Sequence, residues 1–220
     1  MTTKPWHSWS GAIGLAFVFV ALFLPGPPPK TDATAAALVA NLVKHRTALV
    51  DGIPIAAVGV MALLLFFGVL AETLARHTGA PAFAHAAVIG GVVGTLLIFV
   101  GMVLFSGTAF RAAGMGDQAL TRATVDTGNM LIETGKYGFA VLIAATCVSV
   151  SRTDLLSRRM VLAGAIAAVI LVLSTIPPFL ADSGVGQFGG GIDVLGGIPG
   201  FAWIIGLSVQ LAVRPESTCS

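Results

Sequence analysis

The sequence predicts an all-α, polytopic integral membrane bundle, formed by a single transmembrane domain over residues 1–220. Of the 220 residues, 56% are hydrophobic and only 10% are charged, whereas an ordinary soluble domain carries about 25% charged residues. The chain therefore has too few polar side chains to cover a domain in water. A hydrocarbon core of about 30 Å requires about 20 apolar residues in a helix, and about six such segments occur along the chain.

The six predicted transmembrane helices cover residues 9–26, 50–72, 85–108, 129–151, 159–181 and 194–213. Trp6 and Trp9 lie at the start of the first span, where aromatic side chains favour the membrane interface. A cleaved signal peptide is the alternative for this segment. Because no cleavage site of the A-x-A type precedes Pro25, we expect the first helix to remain in the protein.

The segment between the first two spans predicts a short external amphipathic helix. Three prolines, at positions 27–29, favour an extended chain after the first span. Thr31 or Asp32 can then cap a helix. Apolar residues follow at helical spacing, namely Leu38, Val39, Leu42 and Val43. The helix is expected either to lie on the outer surface or to extend the second span.

The distribution of Lys and Arg predicts the orientation of the helices. With the N-terminus inside, six of these residues fall on the cytoplasmic side and five on the opposite side. Arg158 and Arg159 stand in a tight loop of the cytoplasmic set, and the loop over 182–193 has neither Lys nor Arg. Since short cytoplasmic loops carry an excess of positive charge, both termini are predicted to be cytoplasmic.

The most informative polar pattern lies on the fourth span. Arg122, Asp126, Asn129, Glu133 and Lys136 follow at spacings of 4, 3, 4 and 3, so they share one face of a helix. The uncharged run that follows, 137–151, is about five residues too short to cross the bilayer. Lys136 and Glu133 are therefore expected to enter the membrane from the outer side.

Two interpretations of this polar face remain open. It can line an outward-facing polar cavity that binds a small solute or relays protons, since charged groups in membrane helices usually face the bundle interior or water. Alternatively, its charges neutralise each other against the loops and Lys136 extends toward the interface.

Small residues recur at the spacing that lets two helices approach closely. Gly90 and Gly94 form a G-x-x-x-G pattern in the third span, and Gly196 and Gly200 form one in the sixth. These glycines are expected to pack helices together, either within the bundle or between two copies of the chain.

Several classes of function are not expected. A net charge of +2 without a basic run argues against nucleic acid as a partner. No cofactor or metal is expected, because the four histidines lie at span ends and in loops rather than on facing helices. Neither H-E-x-x-H nor G-x-S-x-G occurs. Cys147 and Cys219 are not expected to form a disulfide.

The whole pattern resembles a broad group of uncharacterised bacterial integral membrane proteins of about this length. The likeness rests on Trp6 and Trp9, on the segment 24–28 (LPGPP), and on His45-Arg46 before the second span. A glycine-rich third span and a basic turn before the fifth span complete it. The resemblance implies a multi-pass topology in the bacterial cytoplasmic membrane, and it implies no activity.

Two functions are compatible with the sequence. The first is an accessory or scaffold subunit that joins membrane protein partners within the lipid bilayer, favoured because no inverted repeat, mid-membrane charge or energising domain is evident. The second is a binding or transport protein for a small solute or protons that uses Glu133 and Lys136. An intramembrane enzyme ranks last, because the sequence has no nucleophile–base or metal constellation.

Overall fold

The computed structural model describes residues 6–26, 33–79, 81–151, 153–176 and 191–213. In these ranges the chain is helical and contains no β-strand. A short 3₁₀ turn, Trp6–Trp9, precedes seven α-helices: α1 (Ser10–Phe23), α2 (Ala35–Lys44), α3 (Arg46–Thr78), α4 (Pro81–Phe110), α5 (Gln118–Val150), α6 (Arg158–Ser174) and α7 (Gly191–Val213).

Four of these helices are long and apolar enough to cross a membrane, judged by length and composition. They are α3, α4, α5 and the Leu195–Val213 part of α7. Helix α1 is apolar but has 14 residues, and α6 has 17. The prediction of an all-helical bundle of the membrane type is confirmed at this level.

The helices in the middle of the chain are longer than the predicted spans. Helix α3 covers Arg46–Thr78 instead of 50–72, and α5 begins at Gln118 instead of 129. The span rule counts only the residues needed to cross hydrocarbon, whereas a helix continues until its end is capped. Thus the Asp117 carboxylate accepts a hydrogen bond from the Leu120 amide at 3.0 Å, and α3 ends at Gly79 in the left-handed conformation, with φ at 59°.

The predicted amphipathic helix corresponds to α2, but its cap is different. Thr34 caps the helix, since its hydroxyl accepts a hydrogen bond from the Ala37 amide at 3.2 Å. The predicted caps at 31 and 32 lie outside the described residues. Leu38 and Leu42 are buried against Ala109 at the end of α4 and Val125 near the start of α5. The apolar face of α2 therefore covers one end of the bundle.

Helices α4 and α5 pack with their backbones in direct contact. Gly90 of α4 faces Gly138 of α5, and Gly94 faces Gly135. One more pair, Gly101 and Gly128, continues the row. A Cβ atom on Gly94 would lie 2.7 Å from the carbonyl oxygen of Gly135, well inside ordinary van der Waals distance. The glycines thus allow a close antiparallel contact that any side chain would separate.

The remaining helices join this pair through similar contacts. Gly14 of α1 and Gly59 of α3 meet backbone to backbone. The Ser208 hydroxyl of α7 accepts a hydrogen bond from the Ala12 amide at 3.0 Å and donates one to the Ser8 carbonyl. It therefore satisfies an amide at the start of α1 that the Trp9 side chain does not cap.

Helix α5 is the central helix of the bundle. It contacts α2, α3, α4, α6 and α7. In its most apolar 18-residue stretch 61% of residues are buried, compared with 39% in the other three long helices. The most apolar stretch of α5 is thus more buried than that of the other long helices in the described part of the chain.

Replacing Gly138 by Ala is expected to destabilise the bundle by about 1–3 kcal/mol or more. The new Cβ atom would lie 2.5 Å from the Gly94 nitrogen and 2.6 Å from the Gly90 carbonyl oxygen, so backbone must move. Thermal unfolding in detergent measures the change. Gly107→Ala is the control, because no atom lies within 4 Å of its added Cβ and Ala favours a helix over Gly. Equal stability of the two variants would contradict the packing described.

Candidate functional site

The five polar residues predicted on the fourth span all lie on α5. Four of them form two ion pairs along the helix. Arg122 Nε lies 3.3 Å from Asp126 Oδ2, and both side chains are about half exposed. Lys136 Nζ lies 2.8 Å from Glu133 Oε1 and 2.9 Å from Oε2. The Glu133 and Lys136 side chains are only 3% and 8% exposed. Asn129 lies between the two pairs and is half-buried.

The outer pair is also tied to the chain segment before α2. The Arg122 guanidinium donates a hydrogen bond through Nη1 to the Ala33 carbonyl at 2.8 Å. Arg122 thus links the N-terminal part of α5 to the start of the amphipathic helix. The polar face is therefore ordered at its exposed end as well as at its buried end.

The inner pair lies beside the contact between α4 and α5. Glu133 and Lys136 flank Gly135, whose backbone meets Gly94 of α4. Gly94 is near the middle of α4, about 20 Å from Pro81 and about 24 Å from Phe110 at 1.5 Å per residue. Because Pro81–Phe110 contains no Asp, Glu, Lys or Arg, the ion pair lies opposite the centre of an uncharged helix. The pair therefore lies near the midpoints of both α4 (Pro81–Phe110) and α5 (Gln118–Val150).

The position of the pair follows from the length of the two helices. The predicted span, 129–151, covers only the residues needed to cross the hydrocarbon. Helices α4 and α5 have 30 and 33 residues, or about 45 and 50 Å. Both are longer than a hydrocarbon core of about 30 Å, so a residue near the predicted start of the span is near the middle of α5.

The polar face ends at Lys136. The next positions on the same face, at intervals of four, seven and eleven residues, are Ala140, Ile143 and Cys147, and all three are buried. The N-terminal half of α5 therefore carries the polar side chains of this face, whereas its C-terminal half is apolar. The polar side chains of this face therefore extend from one end of the bundle to its centre and stop there.

A small cavity of about 10 Å³ lies between α1, α3, α4, α5 and α7. Its lining is almost entirely apolar and includes Leu63, Phe139 and Phe201, and none of the five polar residues of α5 lines it. One lining residue, Thr95, has a buried hydroxyl without a hydrogen-bond partner among the described atoms. The predicted polar cavity is thus not this pocket. The sequence carried no signal for Thr95, because a single threonine in an apolar helix is usually only a packing residue.

The predicted packing glycines all contact other helices of the same chain. Gly90 and Gly94 meet α5. Gly200 lies against Leu171 and Gly196 against Ser174, both on α6. A bulky group at any of these glycines would overlap atoms of the chain itself. These four positions are therefore occupied by intramolecular packing.

Within the part of the chain that the structure describes, no group of three His, Cys, Asp or Glu side chains could hold a metal ion. Comparison of the chain with protein-family models, with curated proteins and with solved structures gives no match. The argument for function therefore rests on the side chains of α5 and their surroundings.

Lys136→Met alone is expected to lower the free energy of unfolding by roughly 3–5 kcal/mol, because it leaves the Glu133 carboxylate buried without its partner. The double variant Glu133→Gln with Lys136→Met should recover most of this loss. Unfolding by denaturant in detergent measures both. Arg76→Met is the matched control, since its ion pair with Glu72 is well exposed and should contribute little. A loss at Arg76 as large as that at Lys136 would refute this interpretation.

Proposed function

We propose that the protein binds and moves a small polar solute or protons, and that the polar face of α5 forms its site. The observation that carries this proposal is the buried Glu133–Lys136 pair opposite the middle of uncharged α4. Charges at such depth are expensive, and in membrane proteins they mark pathways for solutes or protons. Apolar residues of similar size are often at least as stabilising as a buried ion pair, so stability alone gives no reason for the pair.

The proposed topology has six spans, formed by α1 with its preceding turn, α3, α4, α5, α6 and α7. Both termini lie on the cytoplasmic side of a bacterial cytoplasmic membrane, as the Lys and Arg distribution favours. Helix α2 and the Arg122–Asp126 pair then lie at the outer end. The solute therefore enters along α5 from outside and reaches Glu133 and Lys136 at mid-depth.

Accessory-subunit function has less support than the sequence suggested. That hypothesis relied on small-residue faces directed at lipid, and on the absence of an inverted repeat, of mid-membrane charge and of an energising domain. Gly90, Gly94, Gly196 and Gly200 instead pack against helices of their own chain, which leaves them no surface for a partner. The glycine faces therefore no longer favour the subunit role, and the proposed depth of the ion pair counts against it. The missing inverted repeat and energising domain still favour it.

The outward opening of the site is tested by thiol labelling in intact cells. In a background with Cys147→Ala and Cys219→Ala, Asn129→Cys should react with a charged, membrane-impermeant thiol reagent added from outside. Met130→Cys is the matched control at the same depth: its side chain is 51% exposed on the neighbouring face of α5, where the proposal places lipid. Labelling at 130 but not at 129 would reject an outward polar path.

Proton movement is tested in proteoliposomes loaded with a pH-sensitive dye under a potassium diffusion potential. If protons are the species moved, the wild-type protein acidifies the lumen and the double variant Glu133→Gln, Lys136→Met does not. The reason is that the variant removes both titratable groups at the centre of the path. Acidification that persists in the variant would exclude this pair from the pathway. Absence of acidification in the wild-type protein would restrict the proposal to solutes.

A further inference from the structure

Two arginines lie against one aromatic ring at the end of the bundle that carries α2. The Arg46 guanidinium carbon is 4.6 Å from the centroid of the Phe110 ring, and that of Arg111 is 5.1 Å from it. Arg46 begins α3, whereas Phe110 ends α4 and Arg111 follows it directly. All three side chains are exposed. We call this group the Phe110 cluster.

The two guanidiniums of the cluster form no ion pair with a described carboxylate. The ion pairs in the described ranges involve Arg76, Arg122 and Lys136. Contact with the ring positions each guanidinium and contributes about 0.5–1 kcal/mol at an exposed site, but it does not neutralise the two positive charges that lie against the same ring. An anion with several acceptor oxygens would, and the planar donor fork of arginine matches phosphate oxygens.

An apolar strip on α4 runs away from the cluster toward the centre of the bundle. Leu96, Val103 and Phe110 follow at intervals of seven residues and are therefore on nearly the same face of the helix. They are 43%, 41% and 45% exposed, so the strip is directed away from the protein core. It extends about 21 Å along the axis, somewhat more than half of a hydrocarbon core of about 30 Å.

We propose that the Phe110 cluster binds the phosphate of an anionic phospholipid, with an acyl chain of that lipid along Leu96 and Val103. The charge of the two arginines suits the headgroup, and the exposed strip suits the chain below it. A free phosphate ion would bind the arginines but would not contact the apolar strip. This site is distant from Glu133 and Lys136, and it does not depend on the function proposed for them.

Native mass spectrometry of the full-length protein in detergent tests the proposal. Phosphatidylglycerol, phosphatidylcholine and inorganic phosphate are titrated separately. The wild-type protein should retain phosphatidylglycerol in preference to phosphatidylcholine, and Arg46→Gln with Arg111→Gln should weaken its binding by roughly tenfold or more. Arg158→Gln with Arg159→Gln is the matched control, because it removes the same charge from exposed residues at the other end of the bundle and should leave binding unchanged.

Phe110→Leu separates a positioned site from general charge attraction. It keeps both arginines but removes the ring that holds them, so binding should fall by less than in the double variant yet remain measurably weaker than in the wild-type protein. If the double Gln variant unfolds, Arg46→Lys and Arg111→Lys replace it. A lysine keeps the charge without the donor fork, and binding should again weaken.

Three results would overturn the proposal. If the Arg158/Arg159 control loses as much phosphatidylglycerol as the Arg46/Arg111 variant, the loss comes from the change in net charge and not from a specific site. Unchanged binding in both the Arg46/Arg111 and the Phe110 variants would show that the arginines merely extend to water at the interface. Displacement of the lipid by inorganic phosphate at similar concentration would assign the cluster to a free anion.

Discussion

The close contact between α4 and α5 is the constraint on which the rest of the structure depends. Three glycines on each helix let the two backbones meet in one antiparallel register, with side chains such as Ile98 and Ile132 packed against the glycines. Gly135, which meets Gly94, stands between Glu133 and Lys136 in the sequence. The turn of α5 that contacts α4 is therefore the same turn that carries the buried charges. The geometry of the candidate site thus depends on helix packing, because a shift of α5 along α4 would move the Glu133–Lys136 pair.

Packing of this kind is what a bundle surrounded by lipid requires. Burying apolar side chains gives little advantage when the surroundings are equally apolar, so close contact and hydrogen bonds must hold the helices together. Ser208 provides such a bond between α7 and the start of α1. Threonines such as Thr73 and Thr146 instead satisfy their hydroxyls on the carbonyl four residues earlier. Thr95, which faces the apolar pocket, departs from this pattern.

Hydropathy was sufficient to predict the helical class and the approximate position of the long helices, because runs of apolar residues mark them directly. It could not predict helix ends, which depend on caps such as Thr34 and Asp117. The spacing from Arg122 to Lys136 predicted a shared face of the helix. The position of Glu133 and Lys136 relative to α4 could be seen only from the register of the two helices. The partners of Gly90 and Gly94 are Gly138 and Gly135, which are three residues apart and so do not form the G-x-x-x-G pattern that marked the other glycines. The Phe110 cluster brings Arg46 against Phe110 and its neighbour Arg111, which are at least 64 positions further along the chain. No local sequence pattern links residues at that separation.

The chemistry of the buried pair restricts what the proposed site can accept. Separating Glu133 from Lys136 at mid-depth would leave two uncompensated charges, each costing several kcal/mol. The pair therefore opens only when an incoming species supplies what the partner provided. A proton that neutralises the Glu133 carboxylate leaves Lys136 charged, so Lys136 must release its own proton for both groups to become neutral. A small zwitterion can instead offer an ammonium to Glu133 and a carboxylate to Lys136. A singly charged solute would satisfy one residue and leave the other unpaired, so the site discriminates against it by the same free energy that keeps the pair closed.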